Sequence, residues 1–383
     1  MGSGALFGRS ESCRFDPFGC RAIRKISSSR SRVHTNLSAA YTLLDMMKPS
    51  LLCLLPLVVC ITLPTMHARA QSQPPVNGTL LVANQGSRDL SIIDPAAARQ
   101  IAVVPEGGVT GHEVAASPDG RTAYVPIYGD SGVGNPGTDG SNMVVIDIPS
   151  RKVIGNVDFG HGVRPHFAIY DTNSGLLYVT TELDKTVSII DPHTLKIIGA
   201  IPTSQEQSHM LALSRDGQRG YTANVGPGTV SVLDMKARKT IMVIPISAKT
   251  QRISISRDDR MVFTADQTKP QLAVIDTATN KLRAWVPLPA IGYGTASTLD
   301  GRWLLVAMEP TKQLAVVDLK TLKVVHTIDL PAAPTEILPS PNGKVAYASM
   351  PSGNQVAVID LSQWKVQSLI DAGKYADGLA WAK

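Results

Sequence analysis

An apolar run ending in aspartate recurs seven times along this chain. It reads LSIID to Asp94, MVVID to Asp147, VSIID to Asp191, VSVLD to Asp234, LAVID to Asp276, LAVVD to Asp318 and VAVID to Asp360. The steps are 53, 44, 43, 42, 42 and 42 residues. A turn signal of the SPDG type keeps the same period, with last positions at Gly120, Gly175, Gly217, Asp259, Gly301 and Gly343. A fixed period of this length marks a repeat architecture. Each unit holds four short strand patterns bounded by turn residues, as in RGYTAN, TVSVLD, KTIMVIPI and QRISIS. Seven four-stranded units predict an all-β, seven-bladed β-propeller over residues 79–383. The seven aspartates are assigned to turns, because every copy carries one and a short carboxylate accepts backbone N–H groups there.

The stretches LLVANQGSRDLSIIDP and LYVTTELDKTVSIIDPHTLKIIGAI resemble the YVTN repeats of YncE-like bacterial propellers. That resemblance spans residues 79–383 and implies the seven-bladed fold. It implies no particular activity, because members of such a repeat family do different things. The first repeat opens on its second strand, TLLVAN, so its inner strand must come from elsewhere. DGLAWA, Asp377 to Ala382, is the unpaired candidate. The ring is therefore predicted to close with the C-terminal inner strand joining the N-terminal three, which removes the edges of an open ring.

Charge and cysteine separate the first 70 residues from the rest. Of 37 Lys/Arg and 31 Asp/Glu, nine and three lie in residues 1–70, leaving 28 of each beyond. A neutral remainder has no net pull on phosphate backbones, which argues against a nucleic-acid-binding propeller. All four cysteines (Cys13, Cys20, Cys53, Cys60) also lie there. This excludes disulfides, Cys-ligated zinc, iron–sulfur clusters and covalent c-type haem downstream. Residues 46–70 have the form of a signal peptide: Lys48, a 13-residue apolar stretch from Leu51 to Leu63, and Ala68-Arg69-Ala70 as an A-x-A site cut after Ala70. Residues 1–45 are expected to be an over-extended, disordered start, and residues 71–78 a linker. The mature protein is expected to be periplasmic or secreted, without a transmembrane helix, and a monomer.

Aligning the inner strands by their turns puts His112, His166 and His209 in one slot on three consecutive blades. Gln251, Tyr293 and Thr335 fill it on the next three, and Asp377 fills it in the closing strand. Equivalent slots of a rotational repeat point at one axis. His112, His166, His209 and Asp377 are thus a candidate metal set at the channel mouth, suited to copper, zinc, iron or manganese. Glu113 and Arg164 flank the slot as candidate general base and anion partner. The other reading is of wet or packed histidines at a polar channel mouth. An insertion, YGDSGVGNPGTDGSN from Tyr128 to Asn142, is expected on the same face, and such loops on rigid scaffolds commonly bind or cover something. Its G-x-G-x-x-G spacing has no following helix to receive a phosphate. His161 is expected near the same mouth; His193, His326 and the four tryptophans are assigned to surface and blade packing. Two functions follow. One is a binding module that meets a protein or small-molecule ligand through the loop-rich mouth. The other is a metal-dependent enzyme or redox protein with a histidine-rich site.

Overall fold

The computed structural model describes residues Gly78–Lys383. The leader, its cleavage site, the expected disordered start and all but the last residue of the linker lie outside the described residues. Seven antiparallel four-stranded sheets form the blades of a ring. The second to seventh blades span residues 115–158, 165–202, 208–245, 250–287, 295–329 and 337–371 in simple up-and-down order. Helical structure among the described residues is limited to two single 3₁₀ turns, Glu309–Thr311 and Pro351–Gly353. No described helix is long and apolar enough to cross a membrane.

The repeat explains the packing. Side chains alternate faces along a strand, and both faces of a blade are covered by its neighbours, so the middle strands need continuous apolar runs. In Leu80-Leu81-Val82-Ala83, Leu80 and Val82 pack with Tyr347 and Val358 of the seventh blade. Leu81 and Ala83 pack with Val125 and Ile146 of the second. Seven such apolar clusters sit between the seven pairs of neighbouring blades. The outer strands are mostly exposed instead, with consecutive residues such as Val153 and Ile154 open to solvent.

The turns also follow the pattern. All seven repeat aspartates accept backbone N–H groups two or three residues on, as Asp147 does from Ser150 at 2.8 Å and Asp360 from Ser362 at 2.7 Å. Gly120 adopts φ +71°, and a Cβ there would stand 2.1 Å from the carbonyl oxygen of Lys383. Glycine is needed at that turn on both counts. In the fifth blade Asp259 adopts φ +59° in its place.

The first blade is built from both ends of the ring. Its order runs from the C-terminal strand Ala376–Ala382 through Thr79–Asn84 and Asp89–Asp94 to Arg99–Pro105. Leu80 pairs with Trp381 and Val82 with Leu379, and the register shifts once between Val82 and Asn84. Removal of residues 376–383 strips the inner strand from Thr79–Asn84 and opens two interblade clusters. The shortened chain is expected to lose its cooperative thermal transition, measured by circular dichroism; an unchanged melt would refute this dependence.

Candidate functional site

The slot residues do meet at one mouth of the channel. A cavity of about 170 Å³ is lined there by His112, His166, His209, Gln251, Tyr293 and Asp377, together with Gln85, Tyr128, Gly132, Val133 and Arg252. Gly132 and Val133 belong to the insertion, which therefore roofs the mouth. Thr335 is buried in the ring, and its hydroxyl is 2.9 Å from that of Ser349.

The imidazoles form an aromatic cluster. The rings of His166 and His209 stack with centroids 3.5 Å apart and a 28° tilt. His112 stands edge-on to His166 at 5.5 Å and lies 4.7 Å from Tyr128. Tyr128 is fully buried and meets His166 and His209 edge-to-face at 5.1 and 5.7 Å. Its hydroxyl donates to Glu182 Oε2 at 2.6 Å. Desolvation pushes the pKa of His112 down to about 4, with His209 and Arg252 adding to the effect and Asp377 opposing it. Burial likewise holds His166 well below the usual histidine range and His209 below it. All three are neutral near pH 7; His166 Nδ1 is buried without a hydrogen-bond partner, whereas His209 Nδ1 faces Glu182 Oε2 at 3.6 Å. Such orphaned atoms are costly unless something completes them. As placed, no three His, Cys, Asp or Glu side chains among the described residues surround a common point suited to an ion. The stacking aligns two of the rings side by side.

Asp377 lies at the mouth with both oxygens engaged. Its Oδ1 is 3.1 Å from Arg252 Nη2, and its Oδ2 accepts from Gln85 Nε2. Arg252, one residue past the slot on the fifth blade, crosses the channel. Its Nη1 lies 2.8 Å from Glu113 Oε1 and 3.8 Å from Glu336 Oε2, and its guanidinium stands 5.1 Å over the Tyr293 ring. Glycine makes room for this network: a Cβ on Gly378 would lie 2.5 Å from the Glu113 backbone. Glu113 is thus committed to Arg252 and does not line the cavity. Burial raises Glu113 well above the carboxylate range and raises Glu336, with Arg252 opposing in both. Three acids surround one arginine, and burial drives Glu113 and Glu336 towards their neutral forms.

Arg164 points the other way, into the insertion. Its Nε donates to Asp139 Oδ1, and its Nη2 donates to Ser131 Oγ at 3.1 Å and the Asn135 carbonyl at 2.7 Å. It holds the roof in place, lies 3.8 Å from Glu182 through Nη1, and lines a separate hollow of about 380 Å³ outside the histidine cavity. His161 is exposed and pairs with Asp184 at 2.8 Å. Tyr128, Gln85 and Arg252 were not singled out as site residues by their sequence. Tyr128 carried one usable signal, its place at the edge of the only long insertion.

The fold and this mouth define a seven-bladed propeller with a histidine-rich channel entrance. A family model described as the cytochrome D1 haem domain matches residues 171–297. That stretch includes His209 but neither His112 nor His166. No curated protein matches the chain. Among solved structures, Kuenenia stuttgartiensis hydrazine synthase is similar at 19% identity and a TM-score of 0.65, covering 76% of this chain and 94% of that one. A functionally unknown protein from Desulfotomaculum acetoxidans is similar at 14% identity and a TM-score of 0.66, covering 80% and 99%. Likeness at these identities is a likeness of fold.

Two outcomes follow from the electrostatics. The folded His112 ring titrates near pH 4 instead of 6.5, so between those values the unfolded chain holds the extra proton. Its contribution to stability is complete above about pH 6.5 and is lost as pH falls towards 4, by at most about 1.4 kcal/mol per pH unit. Urea unfolding should show a shallower acid loss in His112→Asn than in the native chain. Arg252→Met strands buried carboxylates and should cost about 3–5 kcal/mol at pH 7. Urea unfolding of the variant at pH 7 checks this; a loss below about 1 kcal/mol would contradict the network.

Proposed function

We propose that the protein is an exported YVTN-type propeller whose channel mouth binds a transition-metal ion through His112, His166 and His209. The observation that carries this reading is three neutral imidazoles lining one cavity, with His166 Nδ1 buried and without a hydrogen-bond partner. Neutral ring nitrogens are donors for zinc, copper, iron and manganese. An anion finds no free guanidinium in the cavity, because Arg252 is already engaged by Glu113 and Asp377. Uptake requires one ring of the His166–His209 stack to turn towards the cavity. With Asp377 held by Arg252 and Gln85, three imidazoles would leave a coordination position open, the arrangement suited to polarising a ligand.

Haem does not fit this cavity. Its volume of about 170 Å³ lies below the roughly 300–1,000 Å³ of pockets that enclose drug-sized ligands. Val133 and Gly132 also occupy the roof. The match to the haem-domain family is therefore taken as a match of blade repeats, and no haem chemistry is derived from it. Export is supported by the leader pattern of residues 46–70.

Elemental analysis of tag-free protein should find near-stoichiometric Cu, Zn, Fe or Mn, lost in a His166→Ala/His209→Ala double variant. Metal added at 1,000 times its dissociation constant should stabilise the native fold by about 4 kcal/mol, seen as a higher Tm. Metal-free protein whose melt is unmoved by all four ions would sink the reading.

A further inference from the structure

The histidine cavity has a neighbour. A hollow of about 470 Å³ opens beside it, and the two share Gln85, His112 and Gly132. Another hollow, of about 380 Å³, lies against the insertion near Arg164 and Lys185 and shares no residue with the cavity. Of the two, the first hollow is the one that adjoins the imidazoles, at His112, which is only partly buried.

The wall of this hollow is built at the ring closure and is well tied. Gln85 N–H donates to the Tyr375 carbonyl at 3.1 Å, and Gly86 N–H to the Lys374 carbonyl at 2.9 Å. In return Lys374 N–H donates to Ser87 Oγ at 3.1 Å, and Gly373 N–H to Asn84 Oδ1 at 3.1 Å. This paired turn places the exposed Arg88 on the lining of the hollow, while Lys374, on the facing turn, does not line it. Neither cation forms an ion pair among the described residues. Asp130 lines the same hollow; its exposed carboxylate accepts the Thr138 N–H at 2.6 Å and feels the charge of Arg88 without an ion-pair contact. Tyr375 lines the hollow with half of its surface exposed, and Val109 lines it too.

We propose that this hollow is a substrate vestibule for a small planar organic carboxylate. The carboxylate meets Arg88, the ring or conjugated plane lies against Tyr375 and Val109, and the far edge faces His112. The volume lies within the range of small-molecule pockets. An arginine without a partner recognises a carboxylate by charge-assisted, bidentate hydrogen bonds. The inference rests on the proposal that the adjoining histidine cavity is the working site.

The test is a titration of the full mature chain, stripped of metal, with benzoate and with its neutral analogue benzamide, followed by calorimetry and by histidine ring resonances. Benzoate should bind saturably and shift His112, and benzamide should bind about 10-fold more weakly. Arg88→Gln should weaken benzoate about 10-fold and leave benzamide unchanged. Tyr375→Ser should weaken both. No saturable benzoate binding, equal binding of the two probes, or benzoate binding indifferent to Arg88→Gln would overturn the vestibule. Metal uptake by Arg88→Gln is measured separately and should match the native chain. A protein that binds benzoate but no metal would leave the vestibule standing and remove the metal reading, and the converse result would do the opposite.

Discussion

The pairing of Ala376–Ala382 with Thr79–Asn84 is the constraint on which the ring depends. A propeller has no central core. Its apolar surface is divided into seven layers, each shared by two neighbouring blades, and an open ring would leave two half-layers wet. The closing strand supplies the inner edge of the first blade, and Leu379 completes the layer with Tyr347 of the seventh. It also carries Asp377 into the channel and locks the Arg88 turn to Tyr375. Closure, channel charge and vestibule wall thus come from one C-terminal segment.

The channel mouth divides into two environments. On one side neutral imidazoles and Tyr128 stack beneath the insertion, with Glu182 facing both Tyr128 and His209 and one ring nitrogen, His166 Nδ1, left without a partner. On the other, Arg252 reaches across the axis to acids on blades 1, 2 and 7. Burying a single guanidinium would be costly, and burying the acids without it more so. The pairing lets a polar ring survive in the channel and keeps Arg252 from competing for an anion in the cavity.

Much of this was legible in the sequence. The period near 42 residues located the blades, and the apolar-Asp endings located the turns. The rotational slot brought His112, His166 and His209 together before any coordinates were needed, because equivalent positions of a ring share an axis. Arg252 was not legible. It follows Gln251 in an ordinary strand, and its partner Asp377 is 125 residues away. Arg164 looked like a free cation beside the slot, yet its hydrogen bonds go to a loop whose path the repeat does not encode. Tyr128 looked like the first residue of an insertion and proved to be the buried ring joining the histidines.

The sequence by itself determined the number of blades, the order of strands, the closure by the C-terminal strand and the residues that share the slot. These follow from period and alternation, which are properties of a chain read residue by residue. Only the tertiary structure decided which carboxylates Arg252 meets, that the insertion folds back as a roof, and that a second hollow adjoins the cavity at His112. Those outcomes depend on distances across the channel, where side chains from different blades compete for the same few ångströms.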